Sequence, residues 1–129
     1  MTPVAPDATV YDAIALMAER GIGALLVMEG ERLVGIVTER DYARKVILRD
    51  RSSRDTPVST IMSADVVTVR PDHTIETCMA LMTEKRIRHL PVVQDGRVIG
   101  ILSIGDLVKF IIADREQLIE QLEGYITGR

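Results

Sequence analysis

Two short segments repeat one arrangement of chemistry-bearing residues. Gly35-Ile36-Val37-Thr38-Glu39-Arg40-Asp41 and Gly100-Ile101-Leu102-Ser103-Ile104-Gly105-Asp106 each set a hydroxyl three residues after a glycine and an aspartate three residues further on. An ionised carboxylate only accepts hydrogen bonds, so either aspartate can take both vicinal hydroxyls of a ribose. The Thr38 or Ser103 hydroxyl can bond ribose or phosphate, and the glycine clears room for a nucleoside. The same spacing also fits a capping box, in which hydroxyl and carboxylate serve helix N–H groups and no ligand is required. Three features favour the ligand. Aspartate is shorter than the Glu or Gln a capping box prefers, so its reach back is expected to be poor. A glycine inside a strand weakens it unless another backbone or a ligand comes close. A helix start with spare N–H groups attracts an anion.

Phosphate would need positive charge, and the candidates are Arg40, Arg44, Lys45, Arg86 and Arg88. Arg88 is the best placed, at the end of an expected strand, whereas Arg44 and Lys45 read as a solvated helix face. His89 reads first as a packing or capping residue and second as a phosphate contact. His73, in a Pro-Asp-His-Thr turn, reads as exposed. Two distant histidines and one cysteine give neither a metal set nor a nucleophile triad. No phosphate-cradling or dinucleotide-binding glycine motif is present. Catalysis is therefore not expected.

The elements that carry these residues come in duplicate. At an offset of 65 residues, Val4 matches Val69, Pro6 Pro71, Asp7 Asp72 and Thr9 Thr74. Without a gap the register continues through Met17/Met82, Ile22/Ile87, Leu25/Leu90, Val27/Val92, Arg32/Arg97, Gly35/Gly100 and Asp41/Asp106. Coincidence among aliphatic residues would not keep Pro, Gly and polar positions together. In each unit a threonine, Thr9 or Thr74, is the expected N-cap of an amphipathic helix. The apolar stripes are Val10, Ala13, Ile14, Met17 and Ile75, Cys78, Met79, Met82. Gly21 suits a left-handed helix end. Strands are expected over 24–28 and 90–93, turns at Gly30 and Asp95-Gly96, and return strands over 33–37 and 98–102. A second helix should begin near Thr38 or Ser103. With a leading strand before Pro6 and Pro71, each unit is β-α-β-β-α, an α/β (α+β) design.

The domain reading is a first repeat over 1–55, a second over 57–113 and a helical tail over 114–129. Residues 49–56 (RDRSSRDT) form a polar linker, and 58–62 should be a short lead-in helix to the second repeat. The first repeat has no such element, since Met1 aligns with Val66. Neither repeat buries enough surface alone, so the two sheets are expected to pack together about a pseudo-two-fold axis, with two clefts between them. Hydrophobic residues make up 47% of the chain, which supports a real core, but aromatics are 3% with no Trp, so that core must be aliphatic. The shortage of stacking rings and a net charge of −3 argue against nucleic-acid binding. No apolar run approaches the roughly 20 residues that span a bilayer. The single cysteine, Cys78, reads as a buried small hydrophobe in a reducing compartment. The opening MTPVAPD lacks the basic and apolar stretches of a leader, so a cytoplasmic protein is expected.

The duplicated G-h-x-[ST]-x-x-[ND] segment closing a β-α-β-β-α unit resembles the tandem CBS-domain pair, or Bateman module. Arg88-His89-Leu90-Pro91-Val92 is similar to the family's strand before that segment, and the resemblance runs from about Val4 to Phe110. It implies a non-catalytic regulatory module whose clefts take AMP first, with ADP, ATP, S-adenosylmethionine or NAD as alternatives, and no required cofactor. It implies that Asp41 and Asp106 hold ribose, that Thr38 and Ser103 bond ribose or phosphate, and that Thr68 meets the base. Gly35, Gly100, Arg40, Arg88, His89 and Pro91 complete the expected ligand-binding set. Leu26 replaces the proline found at Pro91, and Gly23-Ala24 replace Arg88-His89, so the two clefts should differ. Partners expected from the resemblance are a second copy, in a homodimer that the aliphatic tail would extend, and an unidentified regulated protein. Two rivals stand beside this reading: a ligand-free oligomerisation scaffold, and an enzyme with an adenosine substrate.

Overall fold

The amphipathic stripe from Val10 to Met17 begins right after a threonine, and the chain winds into helix there. In a computed structural model that describes residues 3–113, helix α1 spans Val10–Arg20, with Thr9 Oγ1 accepting from Asp12 N–H at 3.1 Å. Gly21 ends it at φ 66°, a left-handed conformation that costs glycine little. Strands β1 (Ala24–Glu29) and β2 (Arg32–Thr38) follow as an antiparallel hairpin, with a bulge where Val27 pairs Gly35 and Met28 pairs Leu33. Helix α2 spans Glu39–Tyr42 and widens into a π turn over Ala43–Ile47. The expected leading strand is a single parallel bridge, Val4 to Val27, with Val4 N–H on Leu26 O at 2.9 Å.

The second repeat copies this order. Helix α3 spans Ile75–Lys85 behind the Thr74 cap, β3 spans His89–Gln94, β4 spans Arg97–Ser103, and a helix α4 runs over 104–113. Val69 bridges Val92 in parallel, with its N–H on Pro91 O at 3.0 Å. Val4, Leu26 and Val27 shifted by 65 give Val69, Pro91 and Val92, so the duplication holds down to individual hydrogen bonds. Where Gly21 closed α1, Arg86 closes α3 at φ 55°. Each repeat is thus β-α-β-β-α with a two-stranded sheet. The proposed tail, 114–129, lies outside the described residues.

The described residues divide into two compact bodies: 3–71 with Pro91–Ile101, and Asp72–Leu90 with 102–113. In the first, Val10, Ala13 and Met17 pack against Leu25, Val27, Val37, Val46, Val58 and Ile61. These are aliphatic residues at helical and alternating spacing, and they leave water almost completely. In the second, Cys78, Met82, Leu90 and Leu107 are buried. Burial pushes the Cys78 thiol up from its ordinary value, as an inert core cysteine requires.

The polar segment 49–56 is not a loose tether. Its Ser53 and Thr56 carbonyls accept the first N–H groups of α1, from Tyr11 and Val10, both at 2.9 Å. Arg54 also lies over the Tyr11 ring at 4.0 Å. The expected lead-in helix shrinks to a 3-10 turn at Val58–Thr60, pinned by Val58 N–H on Ala8 O and Ser59 N–H on Pro6 O. Pro57 fixes φ at the entry, and the turn closes with Ile61 N–H and Met62 N–H both on Val58 O, at 3.1 and 3.0 Å.

Candidate functional site: two strand-to-helix junctions

β2 and β4 end on the hydroxyl residues, and the chain turns directly into α2 and α4. At the first junction, Asp41 Oδ2 accepts from Thr38 N–H at 2.9 Å and from Thr38 Oγ1 at 3.1 Å, while Thr38 Oγ1 accepts from Asp41 N–H at 3.1 Å. At the second, Asp106 Oδ2 accepts from Ser103 N–H at 2.9 Å and Ser103 Oγ from Asp106 N–H at 3.1 Å. Both are complete capping boxes, so the expectation that aspartate reaches back poorly is corrected. The extended Thr38 backbone (ψ 164°) brings its N–H to the shorter side chain. The expectation of spare helix N–H groups is also narrowed. Glu39 N–H is taken by Gly23 O at 3.1 Å and Ile104 N–H by Arg88 O at 2.9 Å, one pair per repeat.

The glycines part company. A Cβ on Gly35 would lie 2.5 Å from Met62 Sδ and 3.0 Å from Ser63 O. Ser63 pairs with Ile36 through two hydrogen bonds of 2.9 and 3.0 Å, so Gly35 makes room for the chain's own returning segment. Among the described residues nothing lies within 4 Å of a Cβ on Gly100.

The carboxylates differ as well. Lys45 Nζ sits 3.4 Å from Asp41 Oδ1 and donates to Ile61 O at 2.9 Å. Its reading as a solvated side chain is therefore corrected; Arg44, its neighbour, is exposed. The position equivalent to Lys45 is Phe110, which is 53% exposed. Asp106 is held below its usual carboxylate range, first by the Ser103 N–H, against a burial effect, and further by the Ser103 hydroxyl, Lys109 and His89. It is an ionised acceptor at neutral pH. His89 is half-buried at the start of β3. His73 is half-buried and engaged, not simply exposed.

Of the remaining candidates, Arg40, Arg88 and Thr68 are exposed, and Arg86 occupies the left-handed end of α3. Pro91 is buried in β3, where its carbonyl serves Val69. Lys45 and the Ile61 carbonyl are the participants that sequence reasoning did not single out together. The signal was the i, i+4 spacing of Asp41 and Lys45, which has no counterpart at Asp106 and Phe110. No group of metal-ligating residues occurs among the described residues.

A duplicated β-α-β-β-α unit with a capped hydroxyl-x-x-Asp junction defines a class of small paired regulatory domains, and the comparisons agree. The CBS domain profile matches residues 1–48 and 58–113. The chain belongs to the CBS-domain family. It is 43% identical to the mitochondrial CBS domain-containing protein CBSX3 of Arabidopsis thaliana, over 95% of this chain and 62% of that one. It is 36% identical to YhcV of Bacillus subtilis, over 81% and 74%. It spans about a fifth of the larger Arabidopsis relative CBSCBSPB5. Among solved structures, a protein with CBS domains from Burkholderia ambifaria superposes with a TM-score of 0.86 at 60% identity, covering 88% of this chain and 84% of that one. A hexameric CBS-CP12 protein from bloom-forming cyanobacteria gives 0.77 at 33% identity, over 84% and 64%. No helix among the described residues is long and apolar enough to cross a membrane.

Proposed function

We propose that this chain is a non-catalytic regulatory module that binds an adenosine nucleotide, AMP foremost, with ATP, ADP, NAD and S-adenosylmethionine as competing ligands of the same class. The observation that carries the reading is Asp106: an ionised carboxylate at a strand-to-helix junction, oriented by Ser103 and flanked by Lys109 and His89. Its acceptors suit a ribose diol, and the nearby positive charge suits phosphate. Arg88, exposed one residue before β3, is a further phosphate partner, and Thr68 is the proposed base contact. The bound module would report occupancy to a regulated protein and would work as a homodimer in the cytoplasm; the hexameric cyanobacterial relative is one case of association in this family.

A thermal-shift panel of AMP, ATP, NAD and S-adenosylmethionine tests the reading. A ligand at a hundredfold excess over its Kd stabilises the native state by about 2.7 kcal/mol. AMP should raise the melting temperature and 2′-deoxy-AMP should do so less at equal concentration, because it offers one hydroxyl of the diol. No shift with any ligand would leave the scaffold reading, which the two ligand-independent capping boxes favour. Light scattering at micromolar concentration checks the dimer.

A further inference from the structure

We infer that the two junctions have diverged in role: the first is a clasp that fastens the returning segment 57–63 onto the first repeat, and of the two it is the second that serves as the nucleotide site. The nucleotide half of this inference rests on the function proposed above.

Four observations on the first repeat carry it. Every oxygen of Asp41 is already engaged, Oδ2 by Thr38 and Oδ1 by Lys45. Lys45 in turn holds the Ile61 carbonyl at 2.9 Å, so one lysine joins the junction to a residue 16 positions later. The side chain of Asp41 is 14% exposed, and a diol would compete there with the Lys45 ammonium. Finally, the space beside Gly35 that a nucleoside would need is filled by Met62 and the Ser63 backbone. Ile61 is fully buried and Ser63 is paired to Ile36, so this filling is part of the core and its edge. A flexible side chain alone would not close it.

The second repeat retains the junction and lacks the clasp. Phe110 stands where Lys45 stood, so Asp106 meets no i+4 lysine. The carboxylate takes the Ser103 N–H on Oδ2 and is further drawn on by the Ser103 hydroxyl, Lys109 and His89, all from its own repeat. Among the described residues nothing crowds the Gly100 position.

Calorimetry and melting curves on the full chain test both halves. Wild type should bind one AMP per chain. Asp106→Asn should weaken that binding roughly 10- to 150-fold, the loss of a charge-assisted hydrogen bond. Lys45→Met should leave AMP affinity within about twofold and lower the melting temperature by about 2–5 °C. The double variant Lys45→Met/Asp41→Asn should melt no lower than the more damaged single variant, because both remove one link. Two equal AMP sites per chain, or a loss of AMP affinity in Lys45→Met above about fivefold, would overturn the division of roles while nucleotide binding stands. An unchanged melting temperature in Lys45→Met would overturn the clasp. Wild type that binds no AMP at all would overturn the nucleotide reading and the site at Asp106 with it, and the melting curves would still decide the clasp.

Discussion

The sharpest perturbation of this fold is one methyl group added at two equivalent positions. Gly35 and Gly100 sit 65 residues apart in matched strands, and neither needs a positive φ. From sequence alone, alanine should do the same thing at both. The structure assigns the two substitutions opposite signs. At Gly35 the new Cβ falls 2.5 Å from Met62 Sδ and 3.0 Å from the Ser63 carbonyl. Methionine can swing away, since its side chain is flexible. The Ser63 carbonyl cannot retreat cheaply, because Ser63 holds Ile36 by two backbone hydrogen bonds and each is worth about 0.5–1.5 kcal/mol. Overpacking of this kind costs about 1–3 kcal/mol, so Gly35→Ala should destabilise by about 2 kcal/mol.

At Gly100 the same methyl meets nothing within 4 Å among the described residues. Alanine there narrows the unfolded ensemble and should stabilise by about 0.4–1 kcal/mol. Urea unfolding of the three proteins at fixed concentration gives the comparison, with similar m values expected, since the surface exposed on unfolding is the same. The melting temperatures should separate by about 8–15 °C. A neutral Gly35→Ala would mean that segment 57–63 does not press on β2. Equal damage at both positions would refute the asymmetry outright.

The other expectations are quicker to state. Arg86→Gly should stabilise by about 0.5–1 kcal/mol, because Arg86 ends α3 at φ 55° where an L side chain pays for the left-handed region and glycine pays less; a lower melting temperature would show that the arginine has a compensating contact. Asp106 should contribute to acid stability with a defined sign. In the folded chain its carboxyl is held below the usual aspartate range, so its contribution is complete above that range and disappears as pH falls through the lowered folded value. The difference in melting temperature between wild type and Asp106→Asn should therefore shrink as pH drops from 5 to about 3; a gap that widens in acid would contradict the assignment.

How far the sequence could be read depends on the range of the interaction. Helix caps at Thr9 and Thr74, the left-handed Gly21 and both hairpins are local, and each was legible from residues within four positions. The parallel bridges at Val4 and Val69 followed from the duplication, which made each repeat a check on the other. What escaped was set by where distant chain returns. Nothing at Lys45 announces that the Ile61 carbonyl will stand 2.9 Å away, and nothing at Gly35 announces Met62. The π turn at Ala43–Ile47 has no signature in a run that reads as ordinary helix. At Asp41 the extended Thr38 backbone shortens the gap the short side chain must cross, which side-chain length alone does not show.

Capping and binding were weighed as rivals at these junctions, and the geometry makes them compatible. A carboxylate offers roughly four acceptor positions on two oxygens. Fixing Oδ2 on the residue-103 amide uses one of them and locks the rotamer of Asp106, which lowers the entropy a ligand must overcome to meet it. In the proposed site the cap is the device that would orient the binding group. At Asp41 the same cap leads to the other outcome, because a lysine one turn later takes the second oxygen and carries the connection on to Ile61. A duplicated unit can in this way keep its capping motif in both copies while the residue four positions on, Lys45 in one and Phe110 in the other, differs.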